Sequence, residues 1–592
     1  MKNKFVFISF LLSLLIASSC SVDNLDIPQK GVLDFDDFYK TEQDALSALT
    51  AVYGDLTRTM ARGLVGGQSF NYSPYIQLWN MPSDDIHAAG EFRGDNDFGG
   101  SINEFRFDVQ NETVASMYRS FYAVIYTANV LIEQFDQNDP NDNIRRIVAE
   151  ARVWRAWCHM MLAIGWGSPP LMDRIIPPDE FPSNTPFEEV MDFVIKEFNE
   201  AATHIPSKPS KFDRDATVRL CKEAVYAFMG KAQVYAGKFG DAVTNLKNNV
   251  IDKDLYDLVP GNEMKNLFHG AGNYSVEKVF EFNVLDNSAL TTNDWGVNAL
   301  WQHNDYWGWR GSRIMAGGPR EVKRDGWGGV MPAGEFARAL IANDGIDSYR
   351  RKGWLLRYDE VLYDLTWESD FNTDGTPKNL TLAEKRADSQ RGTRRSAGVH
   401  PNAPAAEISD PLYGCEGYFM LKRMAMEADH GAPTRTSYYI KNHVIMRYAE
   451  VLLLYAEACV MTNQNLPQAL ELVNKIQIRA GSQTITQGQL TLQDVKNEKR
   501  FEMWLEGTRF VDLVRWGDAF DVLKDQCNNT PHFQDNFRTG DHGTWDNNDW
   551  EITWRNYNEG SVHGFQKGKH ELFPFPFWAT SRNPNLVQNA GW

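Results

Sequence analysis

"AFMGKAQVYAGKFGDAVTNL", residues 227–246, decides the fold. Counted from Gly230, the residues Gly237, Phe239 and Ala242 fall at offsets of 7, 9 and 12. That is the spacing of a tetratricopeptide unit, in which small residues let two antiparallel helices cross closely while a ring fills the turn between them. A looser copy, "EVLLLYAEACVMTNQNLPQALELVNKI" at 450–476, keeps the logic with Ala456, Asn463 and Ala469 and one extra residue in the turn. Two copies more than 200 residues apart predict helical pairs packed into one scaffold and interrupted by a long insertion.

The surrounding sequence agrees. "TEQDALSALTAVYGDL" from Thr41 opens with a capping signal and continues with apolar residues at helical spacing. Further helical patterns cover about 115–136, 146–165, 186–204 and 215–236, whereas strand-like alternation is confined to short pieces such as "KVFEFNV" at 278–284. The expected architecture is all-α: a tetratricopeptide-like helical-pair scaffold with a long irregular insertion carrying short strands. Residues 20–254 form an N-terminal helical part, 255–440 a loop-rich, ligand-facing insertion, and 441–592 a C-terminal helical part. The insertion is rich in Gly, Asn, Asp and aromatics, and a long irregular segment with so many large rings points to function.

Composition narrows the function. The hydrophobic fraction of 43% and the charged fraction of 23% are those of a folded protein. With 60 Lys and Arg against 78 Asp and Glu, the net charge of −18 disfavours nucleic acid, whose phosphates need a basic footprint. The start, "MKNKFVFISFLLSLLIASSC", has the layout of a secretory signal peptide over 1–19, and "IASSC" resembles the lipoprotein box in which Cys20 is lipidated after cleavage. Acyl chains on Cys20 would hold the protein on a membrane without a spanning segment. The other cysteines, Cys158, Cys221, Cys415, Cys459 and Cys527, are odd in number and lack CxxC spacing, so neither a disulfide framework nor a zinc site is expected. Cys158, Cys221 and Cys459 sit in apolar helical patterns and are expected to be buried.

Several ordered motifs resemble the SusD/RagB family: "FYKTEQDALSALTAVY" (38–53), "YRSFYAVIYTANVLIE" (118–133), "AEARVWRAWCHMMLAIGWGSPPLM" (149–172), "RYAEVLLLYAEA" (447–458), "LVNKIQIRAG" (472–481), "EKRFEMWLEGTRFVDLVRWG" (498–517) and "NPNLVQNAGW" (583–592). The resemblance implies a cell-surface lipoprotein anchored in the outer membrane. Such a protein binds oligosaccharides and delivers them to a SusC-like, TonB-dependent barrel. A peptide-capturing, RagB-like role is the alternative, and a glycoside hydrolase a more distant one. Two departures are visible: Thr508 stands where the family often has His, and Phe577 and Trp578 replace polar residues in "LFPFPFWATSRNP".

No catalytic or cofactor motif is present in a strand and helix context that would make it work, so no enzyme and no cofactor is expected. Glu498, Glu502, Glu506 and Asp512 alternate with Arg500, Arg509 and Arg515 at helical spacing, which reads as structural ion pairing. "DFNTDG" at 370–375 copies the opening of a calcium loop, but Thr381 stands where the bidentate Glu belongs, so a turn is expected there and no metal.

The ligand-binding expectation rests on "NDWGVNALWQHNDYWGWRG", residues 293–311. It keeps no helical or strand period and reads as a loop. Trp295, Trp301, Tyr306, Trp307 and Trp309 offer flat faces for the C–H side of a sugar, and Asn304, Asp305 and Arg310 offer groups for its hydroxyls. A second candidate is the polar loop "QLWNMPSDDIHAAGEFRGDND" at 77–97, with Trp79, Asp84, Asp85 and Arg93.

Overall fold

A computed structural model describes residues 39–61, 73–90, 92–135, 141–214, 218–284, 300–309, 319–322, 326–388, 412–424, 426–430, 439–486, 488–526, 528–535 and 550–592. Cys20 and Cys527 lie outside them. Among the described residues no helix is long and apolar enough to cross a membrane.

The N-terminal half is a run of helices: α1 (Glu42–Ala61), α2 (Pro74–Asn80), α3 (Asp97–Asn103), α4 (Glu112–Phe135), α5 (Asp142–Trp166), α6 (Phe187–Ala202), α7 (Lys222–Tyr235) and α8 (Phe239–Asn249). From α4 to α8 each helix packs on the next, the antiparallel stacking a repeat array requires. At α1, Thr41 and Asp44 cap each other reciprocally: Asp44 Oδ2 accepts from the Thr41 N–H at 2.8 Å, and Thr41 Oγ1 from the Asp44 N–H at 3.2 Å. The repeat signature has its physical counterpart in α7 and α8. A Cβ on Gly230 would overlap the Leu246 side chain, Gly237 turns the chain with φ of +72°, and Ala242 is fully buried. Replacing Gly230 by valine is therefore expected to cost about 1–3 kcal/mol of stability through overpacking, read as a fall in the urea midpoint.

The second repeat copy is α14 (Tyr448–Thr462) and α15 (Leu466–Ala480), and α14 packs directly on α8. The extra turn residue is absorbed by two left-handed asparagines, Asn463 (φ 54°) and Asn465 (φ 49°). Asparagine tolerates that conformation better than most side chains. The C-terminal part continues with α16 (Leu492–Glu502), α17 (Arg509–Trp516), α18 (Ala519–Leu523) and α19 (Phe577–Arg582). At the end of the chain the Trp592 indole Nε1 donates to the carbonyls of Lys569 and Leu572, fastening the terminus to the core.

The segment expected to be loop-rich holds more regular structure than its sequence pattern suggests: α9 (Leu300–Trp307), α10 (Gly334–Asp344), α11 (Tyr349–Trp354), α12 (Tyr358–Tyr363) and α13 (Leu382–Ala387). Its strands pair with partners far away in sequence, all antiparallel. β1 (Ile86–Ala88) pairs with β3 (Val330–Pro332), β2 (Lys278–Phe282) with β7 (His443–Arg447), and β4 (Leu355–Arg357) with β6 (Tyr418–Met420). β5 (Leu412–Tyr413), β8 (Thr530–Asp535) and β9 (Trp550–Arg555) form the one three-stranded sheet among the described residues. Two apolar cores result among the described residues. The larger runs through the helical array, and a smaller one around Trp309, Leu356, Tyr358, Trp367, Phe419 and Phe533 holds the insertion together.

A buried ion-pair network links the insertion to the C-terminal helices. Glu502 accepts from Arg350 (3.1 Å), Arg447 (2.9 Å) and Arg479 (2.6 Å), while Glu506 accepts from Arg447 (2.8 Å) and Lys422 (2.7 Å). The expected ion pairing within "EKRFEMWLEGTRFVDLVRW" holds for Asp512, which Arg515 and Lys499 each reach at 2.9 Å, and needs correcting for the glutamates. Instead of one continuous helix, a tight turn with Leu505 at φ 62° and Gly507 at φ 75° separates α16 from α17. The glutamates meet cations from other elements. Burial alone would raise the Glu506 carboxyl, but Arg447 and Lys422 hold it down to about 2.

In "DFNTDG", Asp374 Oδ1 accepts from the N–H of Thr376 at 2.9 Å, Gly375 turns at φ +82°, and Thr381 caps α13 with Glu384. The side chains are spent on the turn. Among the described residues, Cys158, Cys221, Cys415 and Cys459 are unpaired and buried.

Candidate functional site

An exposed strip runs where the insertion meets the N-terminal helices. Past β1, the Ala89 N–H donates to Gly329 O at 3.0 Å, extending the β1–β3 pairing into "GWGG", residues 326–329. Asn96 fastens the next turn: its Nδ2 donates to Ala89 O (3.2 Å) and Gly329 O (3.0 Å), and its Oδ1 accepts from the Tyr306 hydroxyl (3.1 Å). This lacing holds three rings at the surface. Phe98 is 40% exposed, and Phe92 and Trp327 are half-buried.

Polar groups flank the rings on rigid supports. Arg93 donates to both oxygens of Glu104 (2.8 and 2.9 Å) and to Asn558 Oδ1 (2.9 Å), with its guanidinium 4.7 Å above the half-buried Tyr557 ring. The Tyr557 hydroxyl and His532 Nε2 are 3.0 Å apart. On the other side, His87 Nε2 lies 2.9 Å from Glu416 Oε1, which also accepts from the Gly334 N–H (2.8 Å) at the start of α10. Arg338 reaches Glu416 at 3.6 Å and keeps its side chain 62% exposed. Burial would raise the Glu416 carboxyl, but His87, Gly334 and Arg338 hold it below the usual range, so it stays ionised. Ring faces beside anchored polar groups suit a ligand with an apolar face and a hydroxyl rim.

The aromatic segment expected to bind sits beneath this strip. Residues 293–299 and 310–311 lie outside the described residues, and over 300–307 the loop reading of 293–311 is corrected by α9. Its last carbonyls are taken by the glycine-rich segment: Trp327 N–H donates to Asp305 O at 2.7 Å, and Gly329 N–H to Tyr306 O at 3.2 Å. Tertiary partners thus satisfy a helix end that has no amphipathic period of its own. Tyr306, Trp307 and Trp309 are at most 2% exposed, and Asn304 and Asp305 are also buried. Trp309 donates its indole N–H to Met420 O at 2.8 Å and meets Phe419 edge-on in the smaller core. Asp305 accepts from the Tyr439 hydroxyl. In this conformation these rings are enclosed by the protein. Trp295, Arg310 and the Trp301 side chain lie outside the described residues.

The polar loop divides. Trp79 is buried, edge-on to Phe573. Asp84 accepts from Arg500 (2.8 Å) and Arg509 (2.8 and 2.9 Å), and Asp85 accepts from Arg500 (2.8 Å). Both carboxylates are thereby committed to a clamp between this loop and the α16–α17 turn. Arg93 alone of the four reaches the strip. The sequence reading missed Phe98, Trp327, Arg338, His87 and Tyr557. The one signal for Trp327 was a lone ring among glycines, and His87 and Tyr557 meet Glu416 and Arg93 from more than 300 residues away.

Comparisons with known proteins agree with this architecture. A family profile described as "SusD family" matches residues 277–592, more than half of the chain, and one described as "Starch-binding associating with outer membrane" matches 91–235. SusD-like protein P25 of Formosa agariphila is 23% identical over 506 residues, covering 82% of this chain and 85% of its own. A SusD-like protein of Bacteroides ovatus is 22% identical over 542 residues, covering 87% and 83%. Among solved structures, a laminarin-binding SusD-like protein superposes with a TM-score of 0.67 at 21% identity, over 94% of this chain and all of its own. Surface glycan-binding protein A from Bacteroides thetaiotaomicron in complex with laminarihexaose gives 0.67 at 19% identity, over 93% and 100%. With the helical pairs, the insertion and the profile match in agreement, the chain belongs to the SusD family.

Proposed function

We propose that this protein captures an oligosaccharide on the strip bordered by Phe92, Phe98, Trp327 and Tyr557, without catalysing its cleavage. The observation that carries the reading is the combination of partly exposed rings with polar groups already anchored by buried partners. Such preorganisation lowers the ordering cost of binding. Relatives named for laminarin and for glycan binding support a carbohydrate as the ligand. The lipoprotein box at Cys20 and the outer-membrane description of the second profile support a surface anchor, and family membership supports delivery to a SusC-like, TonB-dependent barrel. Trp295, Trp301 and Arg310 stay in this proposal as further ligand contacts.

Calorimetry against laminarin oligosaccharides and a wider glycan panel tests it. Trp327→Ala and Phe98→Ala are each expected to weaken binding of the recognised glycan by at least ~10-fold, about 1.4 kcal/mol. Thermal stability should stay near that of the parent, because both rings are partly exposed. Unchanged affinity in both variants would rule the strip out.

A further inference from the structure

We infer that a single buried water molecule is bound between Trp79, Trp504 and Asp85, as a structural element of the clamp beneath the strip. The three residues line one internal cavity of about 10 Å³. That is the space of one water-sized sphere. Each also brings to it a buried polar atom with no hydrogen-bond partner among the described residues: the indole Nε1 of Trp79, the indole Nε1 of Trp504 and the Oδ2 of Asp85. The residues are 1%, 2% and 1% exposed. Leaving three such atoms unpaired would be destabilising.

The chemistry of the three atoms selects the ligand. An indole N–H only donates, and a carboxylate oxygen only accepts. A cation would face two N–H dipoles, and an anion would face the carboxylate. Water accepts from both indoles and donates to Asp85, which meets the two-to-four partners a buried water needs. The other Asp85 oxygen is already held by Arg500 at 2.8 Å, and the nearest Arg509 nitrogen is 3.7 Å from Oδ2, beyond hydrogen-bond reach. Both rings are fixed by packing, Trp504 stacked on Phe336 at 4.7 Å and Trp79 edge-on to Phe573 at 5.9 Å. The water would join the end of α2, the turn after α16 and the residue that leads into β1. This inference rests on the clamp and is independent of what the strip binds.

A crystal structure at a resolution that shows ordered solvent tests it, on the protein and on Trp504→Phe. The expected result is one density peak about 2.7–3.2 Å from all three atoms, and its loss or displacement in Trp504→Phe. A cavity without density, or an indole N–H bonded directly to Asp85 with the cavity closed, would overturn it. If Trp504→Phe does not fold, the parent structure decides alone.

Discussion

Replacing Arg447 by methionine is expected to lower the free energy of unfolding by about 3–5 kcal/mol, the usual cost of removing one partner from a buried ionic network. Arg447 is fully buried and serves three glutamates: Nη1 donates to Glu277 (2.5 Å) and Glu502 (2.9 Å), and Nε and Nη2 donate to the two oxygens of Glu506. Methionine keeps most of the side-chain volume but no charge. Glu506 would retain Lys422, and Glu277 and Glu502 would retain Arg479, so each carboxylate loses part of its compensation. The measurement is the urea midpoint of Arg447→Met, of Glu506→Gln and of the double variant, each against the parent. The double variant removes one of the stranded charges and is expected to recover part of the loss, giving a coupling term of opposite sign to the single effects. Additive losses would show that the pair does not interact.

That network also explains which parts of the fold were legible. Helical pairs are local: Gly230 and Leu246 meet across one short turn, so spacing alone reveals the crossing. The capping at Thr41 and the strand at 278–282 are equally local in their signal. The insertion is different. Its helices are six to eleven residues long, and its strands pair across long separations, as Phe282 does with His443 and Ile86 with Pro332. Such elements are stabilised by partners that no window of sequence contains.

The buried members of the aromatic segment were ambiguous in sequence for the same reason. A crowd of tryptophans is the same signal whether the rings build a core or face a ligand, and burial decides between the two. Tyr306 is the instructive case. The packing that removes its ring from solvent also aims its hydroxyl at Asn96, so it shapes the strip from below. A Cβ at Gly329 would press on the Tyr306 ring and one at Gly326 on the Gly308 backbone, while Gly328 turns at φ 64°, which accounts for the glycines around Trp327. Asp84 and Asp85 look like ligand-facing carboxylates until Arg500 and Arg509, more than 400 residues on, supply their charge partners.

Acidification from pH 7 to pH 5 is expected to destabilise the protein steeply, through histidines that the fold keeps neutral. His159, His443 and His570 are each buried, and burial pushes each ring down to about 3, helped at His443 by Arg423, Lys441 and Lys278 and opposed at His159 by its bond to the Arg155 carbonyl. Two of them have their tautomer dictated by the backbone. His159 Nε2 accepts from the Met172 N–H at 3.1 Å and His570 Nδ1 from the Gln566 N–H at 2.9 Å, so protonating the ring breaks a bond besides charging a buried group. In the unfolded chain a histidine takes up its proton near pH 6.5. The unfolded state therefore binds more protons below that value, and stability is full above about 6.5 and falls as pH drops toward 3, by about 1.4 kcal/mol per unit for each ring. Asp85 works the other way. Burial and Asp84 raise its carboxyl to about 6, so the folded state gains a proton there and offsets about one histidine between pH 6 and 4. A net slope of about 3 kcal/mol per pH unit remains, large against the 5–15 kcal/mol that holds an ordinary domain together. Urea unfolding at pH 7, 6 and 5 reads it directly, and His159→Gln, which can still accept from Met172, should reduce the slope by about one proton. Equal stability at pH 7 and pH 5 would show that the histidines are not held neutral.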